Sequence, residues 1–536
     1  MTTLRMTKLR LGDPYDTANP LGFRAVLDAD ERGEMLAEGE RILDEYALNA
    51  EFVPIQYGGR LGALEDAVSV MREVYRRDPC LGLGYGASSL IASVNVWQGA
   101  TEPQRKEIAD FLLSGRKLAC AYHELAHGND IGRADFEASP AGANLILNGR
   151  KEVIANIQRA DAMVAFARTG AAGGGRGHSQ ILVRPDELPQ DRVRYLPRYA
   201  TTGMRGVQLG GIEFTDCPLP ESAVLGELGH GLEVALTSFQ VTRIGLPAMM
   251  TGILDTGLNV TLRHLLGRRL YGSAATDLPY LKAVLAGVFA DLMACEAFSL
   301  VTGRGLSLLP KQATVHAAAT KYAVSRLLID AMNELATALG SRFYVREGET
   351  GIFQKLLRDI QPIGFGHAAR AVCQMTLLPQ LPLLAKRSWQ KDHDVPAELF
   401  RLDAEVGPIA FDRLRISAGG QDHLMSTSLP DHFLAELKTL TELCATLPAK
   451  ELLATASPAS YDLTTRYATT LMASCCTQVW QHNQDVEFVG DPRWIEAVLH
   501  RLANPGGYLP DELTSFLFAE LLNRHENGRD FGLRTH

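Results

Sequence analysis

The sequence predicts an α+β chain in which one strand-rich segment lies between helical ones. Three observations carry this. At 536 residues the chain is too long for a single core. Apolar residues recur at helical spacing before residue 118 and after residue 230, whereas the stretch between them alternates with the period of a strand. Pro and Gly breaks separate the helical runs. The predicted domains are a helical domain over 1–117, a β-domain over 118–230, a helical domain over 231–390 and an additional helical domain over 391–536.

Taken in order, Phe23 to Tyr46 reads as helix, and Pro54, Gly58 and Gly59 end it. Leu64 to Arg77 is the next helix. Leu81 to Trp97 is rich in Gly, Ala and Ser, which lets helices approach closely. Thr101 is a predicted N-cap, with Pro103 in the first turn that follows. The stretch from Leu118 to Arg168 then runs from a strand into the polar loop His123-Glu124-Leu125-Ala126-His127-Gly128-Asn129-Asp130. There, backbone N–H groups are free to meet an anion. A turn is expected at Asn148-Gly149, then a short strand, then a third strand over Ala162 to Arg168. The Gly-rich run from Gly170 to Gly177 fits no P-loop spacing and reads as a hairpin connection. Ile181 to Arg184 and Val207 to Phe214 are further strands. Long helices return from Thr242, through Leu285 to Leu300 and Ala317 to Leu339, with Gly340 as a C-cap. An Arg358–Asp359 ion pair is expected to fix the turn before His367. The tail should form helices over Pro430–Leu447, Tyr461–His482, Pro492–Leu502 and Pro510–Asn523.

Composition narrows the function classes. The net charge of −9 argues against nucleic acid as a main partner. No apolar run reaches the length of a membrane span. Met1 to Leu11 carries Arg5, Lys8 and Arg10 without an apolar core, so it does not read as a secretory signal. The eight Cys have no Cys-x-x-Cys spacing, which fits reduced thiols and a cytoplasmic location. Cys475-Cys476 reads as two buried small apolar residues. His393, His423 and His432 lack metal-ligand spacing.

Several motifs together resemble the acyl-CoA dehydrogenase flavoproteins. They are Pro54-x-x-Tyr57-Gly58-Gly59, then Thr101-Glu102-x-Gln104, the loop at His123–Asp130 and Asn148-Gly149-Arg150-Lys151-Glu152-Val153-Ile154-Ala155-Asn156. Arg268-Arg269-Leu270-Tyr271-Gly272 follows in the bundle region. The resemblance covers about residues 20 to 390. It implies an N-terminal helical domain, a middle β-barrel domain and a C-terminal four-helix bundle. The tail then corresponds to the extra helical domain of the longer members.

The resemblance also implies FAD and a set of contacts. Gly128 and Asn129 take the places that meet the pyrophosphate. His123 stands where a Thr bonds the flavin pyrimidine edge. Val153 replaces the aromatic that covers the ring, and Ala155 replaces the Thr that bonds flavin N5. Arg268 is the Arg that reaches a neighbouring subunit's FAD. Thr337 and Gly340 stand in the segment that meets the adenosine. The Glu that removes the α-proton of an acyl thioester is His367 here, and the family's alternative Glu position is Thr242. His is a competent base near neutral pH, and a buried His near an anionic flavin could move its pKa either way; the alternative is a His367 that only hydrogen-bonds its loop. His127 and Glu124 are expected to shape and order their loop.

The implied activity is FAD-dependent α,β-dehydrogenation of an acyl thioester on CoA or a carrier protein. Electron-transfer flavoprotein or oxygen would accept the electrons, in a homodimer or homotetramer. The departures at His123, Ala155 and His367 point to a specialised branch in secondary metabolism. A flavin-dependent monooxygenase or oxidase on this fold and a non-catalytic binding or assembly relative remain open.

Overall fold

The computed structural model describes residues 9–170 and 176–534. Residues 1–8 of the N-terminal segment and 171–175 of the Gly-rich run lie outside the described residues. The chain divides into two compact units, Met1–Thr242 and Arg243–His536, the division falling inside one long helix.

The first unit begins with helices. The predicted helix from Phe23 is two helices, α1 (Phe23–Arg32) and α2 (Ala37–Glu45). Gly33 breaks them at φ 65°, its N–H meeting the Asp30 carbonyl, a left-handed C-cap that only Gly adopts without strain. α3 is Leu64–Arg77, as its spacing predicts, with Glu65 and Asp66 in the first turn and Arg76 and Arg77 in the last, both favourable to the helix dipole. The Gly-rich run Leu81–Ala87 forms a π-turn leading into α4 (Ser88–Gly99). A Cβ on Gly82 would sit 2.6 Å from the Tyr75 ring, so Gly permits the close approach of this turn to α3. α5 (Glu102–Leu113) starts at Thr101, whose N–H donates to Gln104 Oε1 at 3.0 Å in a capping box.

Seven strands follow: β1 (Leu118–Ala121), β2 (Glu137–Ala141), β3 (Asn144–Ala155), β4 (Ala162–Arg168), β5 (His178–Val183), β6 (Val193–Leu196) and β7 (Leu209–Pro220). They form one mixed sheet in the order β1-β4-β2-β3-β7-β6, with β5 on β4. β1 and β4 pair in parallel; β3 and β7 pair antiparallel along most of their length. Phe136, Leu147, Met163, Ile181, Ile212 and Phe214 fill its core. The turn expected at Asn148-Gly149 is instead a bulge within the continuous β3. The hairpin turn lies six residues earlier, at Gly142-Ala143, between the paired Ala141 and Asn144. Asn148 serves the bulge with its side chain, Oδ1 accepting the Asp216 N–H at 2.8 Å. Gly149 is at φ 104° and a Cβ there would lie 3.2 Å from Phe136 Cα.

The second unit is helical. α6 (Gly231–Leu266) carries the division between the units; α7 (Pro279–Leu308), α8 (Ala313–Leu339), α9 (Gly351–Asp359), α10 (Arg370–Leu377) and α11 (Leu381–Arg387) follow. The tail gives α12 (Asp431–Ala445), α13 (Pro458–His482), α14 (Pro492–Ala503) and α15 (Asp511–Glu526). Asp491 caps α14, its Oδ1 accepting the Arg493 N–H at 2.9 Å.

α7 corrects one expectation. It is long and apolar enough, by length and composition, to cross a membrane, yet 89% of its most apolar window is buried. α8 and the tail share that burial: α8, α13, α14 and α15 all pack on α7. Arg501 of α14 donates from Nε to Asp291 of α7 at 3.1 Å and from Nη2 to Glu334 of α8 at 2.8 Å. Asp422 accepts from His316 at 3.0 Å, Tyr467 at 2.8 Å and Trp389 at 3.0 Å, a fully buried network tying α8 and α13 together. All eight cysteines are free thiols, and Cys475 and Cys476 are buried on α13.

Candidate active site

In the first unit, the loop after β1 is built around one carboxylate. Glu124 is buried and accepts from Lys151 Nζ at 2.6 Å, the Asp135 N–H at 2.8 Å and the Phe136 N–H at 3.3 Å. Lys151 is fully buried on β3, donates also to the Tyr122 carbonyl at 3.2 Å and lies over the Phe136 ring. Burial pushes its pKa down to about 8 although Glu124 opposes the shift. His127, Glu124 and Asp135 converge, with His127 Nε2 at 2.9 Å from Asp135 Oδ2. Because Glu124 already accepts three hydrogen bonds, the group orders the loop.

The same loop is zipped to β3. The Glu152 N–H donates to the His123 carbonyl at 3.0 Å, His123 Nδ1 lies 3.2 Å from the Glu152 carbonyl, and the Leu125 N–H donates to Glu152 Oε2 at 3.1 Å. His123 and Gly128 are half-buried, and Asn129 is exposed. Gly128 sits at φ 56° with no atom within 4 Å of where a Cβ would stand. The Ala126 and Asn129 N–H groups have no partner among the described residues. This loop therefore fits the pyrophosphate of a dinucleotide: open space, free backbone donors and an amide side chain. Val153 lies in a bulge of β3 between the paired Lys151 and Ile154, at φ 57°. That conformation is strained for a β-branched residue. Ala155 ends β3 opposite Leu209. Sequence reasoning missed Lys151, Glu152 and the strain at Val153.

In the second unit, His367 stands at the end of a tight turn. The Gly366 N–H donates to the Pro362 carbonyl at 2.6 Å, and a Cβ on Gly366 would lie 2.9 Å from that oxygen. His367 and Ala368 then take φ 49° and 76°. The helix before the turn is fixed by Lys355 Nζ on Asp359 at 2.6 Å, both buried, while Arg358 Nε donates to Gln354 at 3.0 Å. The structure thus gives Asp359 a partner one helical turn back.

Two cations share the neighbourhood of His367. Lys321 on α8 is fully buried, and its Nζ has no hydrogen-bond partner. Arg243 on α6 is 2% exposed; its Nη1 donates to Thr376 of α10 at 3.3 Å and its Nε has no partner. Burial and then the Lys321 and Arg243 charges push the His367 pKa down to about 3. The direction that the sequence left open is therefore downward. Burial also lowers the Lys321 pKa to about 8, opposed by the neighbouring Cys373 and helped by Arg243. Burial raises that of the Cys373 thiol. Lys321 and Arg243 were not among the predicted site residues. A signal existed, since Lys321 lies on the same helical face as Ala317, Val324 and Leu328, a face otherwise free of charge.

The remaining predicted residues lie at the far ends of α6 and α8. Arg268 is half-buried after α6, and its charge and that of Arg342 act on His264. Thr337 is exposed, with Oγ1 donating to the Asn333 carbonyl at 3.2 Å. Gly340 caps α8 at φ 59°, its N–H meeting the Ala336 and Thr337 carbonyls. A cleft of about 620 Å³ in the first unit, between α5 and the ends of β5 and β7, is lined by none of the predicted residues.

Residues 229–370 match the family described as acyl-CoA dehydrogenase, C-terminal domain. The solved butyryl-CoA dehydrogenase of Megasphaera elsdenii superposes with a TM-score of 0.63 at 21% identity, covering 70% of this chain and 97% of that one. Residues 229–370 of this chain thus carry the acyl-CoA dehydrogenase C-terminal domain. Mitochondrial isovaleryl-CoA dehydrogenase of Bos taurus is 30% identical over 253 residues, which are 46% of this chain and 58% of the bovine enzyme. A structure described as PigA with FAD and proline superposes with a TM-score of 0.61 at 19% identity, covering 67% of this chain and 92% of that one. The fold shared with these structures is the one that the sequence predicts, with the helical tail added.

Proposed function

We propose that this chain is a FAD-dependent oxidoreductase that removes hydrogen across the α- and β-carbons of an acyl thioester. The observation that carries the reading is the family match over 229–370, which ends three residues beyond His367. The loop at Gly128 and Asn129, with His123, Val153 and Ala155, would hold FAD in the first unit; Arg268, Thr337 and Gly340 would hold a dinucleotide end in the second. FAD, when bound, supplies the acceptor for the β-hydride. His367 is uncharged at neutral pH and would take the α-proton onto a ring nitrogen. The acyl group would ride on CoA or a carrier protein, and electron-transfer flavoprotein or oxygen would take the electrons. We assign it to secondary metabolism, in a cytoplasmic homodimer or homotetramer.

One observation favours a second reading. A His held near pKa 3 accepts a proton weakly, which suits a flavin-dependent monooxygenase on this fold. Anaerobic mixing of the purified protein with acyl-CoA separates the two. Flavin bleaching that slows by ~10²–10⁴-fold in His367→Ala supports dehydrogenation by this base. Flavin that does not bleach, while added reductant drives substrate-dependent oxygen uptake, supports the second. Protein that takes up no FAD overturns both.

A further inference from the structure

We propose that Lys321 and Arg243 form a carboxylate-binding subsite, so that the acyl group carried by the thioester bears a second, free carboxylate. This rests on the acyl-thioester reading above. Two buried cations that act on one another, with no carboxylate bonded to Lys321 Nζ or Arg243 Nε among the described residues, are costly to hold, because each has given up its water. Lys321 Nζ and Arg243 Nε are both buried without a partner. Arg243 donates to Thr376 of α10, α8 packs on the same helix, and both cations act on His367, three residues before α10 begins. The nearest buried carboxylate on the neighbouring α9, Asp359, is taken by Lys355. A carboxylate is the anion that a buried ammonium and a guanidinium with a free Nε–H accept together, by charge-assisted hydrogen bonds. Lying next to His367, the site would take a carboxylate close to the carbon that loses its proton, which points to a short dicarboxylic monothioester. Binding it would also cancel the positive field that weakens His367 as a base.

The test is calorimetric titration of the purified full-length protein with succinyl-, glutaryl- and adipyl-CoA. Butyryl-, valeryl- and hexanoyl-CoA serve as partners of matched length. At least one dicarboxylic thioester is expected to bind about tenfold or more tightly than its neutral partner. That preference should vanish in Lys321→Met and partly persist in Lys321→Arg. Equal dissociation constants within every pair, or a preference that Lys321→Met leaves intact, would overturn the proposal. Free glutarate is expected to compete with glutaryl-CoA; glutarate that binds beside the thioester without competing would assign the site to a free acid and overturn the substrate assignment. The titrations need no flavin. Plain acyl-CoAs that bleach the flavin as fast as the dicarboxylic ones would remove the subsite and leave the dehydrogenase. A protein without FAD whose Lys321-dependent preference survives would do the reverse.

Discussion

Lys151 in the first unit and Lys321 in the second are both fully buried, and the two are held differently. Lys151 in the first unit has a carboxylate, Glu124, at 2.6 Å and a backbone carbonyl besides. Lys321 in the second has neither. Both have their pKa pushed down to about 8. Titration alone would not tell them apart, but the partners do. The first lysine closes a network that shapes a loop; the second is left facing a place where an anion can come. A buried ion pair and a buried lone cation are opposite statements about stability.

The largest expected effect follows from breaking the pair. Glu124→Gln leaves Lys151 buried without its counter-charge and should cost about 3–5 kcal/mol, read from the denaturant midpoint at constant slope. A loss no greater than that of an exposed substitution would break the comparison. Next, Lys321→Met removes a buried donor that nothing satisfies and should gain about 1–3 kcal/mol near neutral pH. The gain depends on pH. The folded pKa of Lys321, about 8, lies below the ordinary lysine value of about 10.4, so the unfolded chain binds more protons between those values. Wild-type stability attributable to this group therefore rises with pH across that window and is lost as pH falls through about 8. The melting curves of wild type and Lys321→Met should converge at alkaline pH; parallel curves would show that Lys321 is not held as a lone cation. The smallest effect is at the bulge. Val153→Gly relieves a left-handed valine at φ 57° and should gain about 1 kcal/mol after the entropy cost of glycine. A destabilised variant would mean that the Val153 side chain packs to hold the bulge.

Elements with a strong local signature were legible in the sequence. α3 was found because fourteen residues repeat one apolar face, and α14 because Asp491 precedes Pro492 and an apolar run. Gly33 was read through because one glycine weighs little against two helical patterns on either side of it. Asn148-Gly149 predicts a hairpin turn, but the same dipeptide suits a bulge, and only the register of β7 decides which. The position of His367 could be counted from Arg358-Asp359. Its surroundings could not, since Arg243 and Lys321 reach it from two distant helices. Local pattern gives the place of a residue; packing gives its neighbours.

α7 carries a consequence for how the chain is made. Part of its cover comes from α13, α14 and α15, and Phe289 on α7 stacks with Phe488 from the tail. About 150 residues separate the end of α7 from the start of α13. At translation speeds of about 5–20 residues per second, the apolar helix waits roughly 8–30 s before synthesis of that part of its cover begins. During that interval it presents to targeting factors and chaperones the length and hydropathy of a membrane span. Synthesis of the tail is then a deadline for correct sorting, and a ribosome stalled after α8 would release a chain that those factors read as a membrane protein.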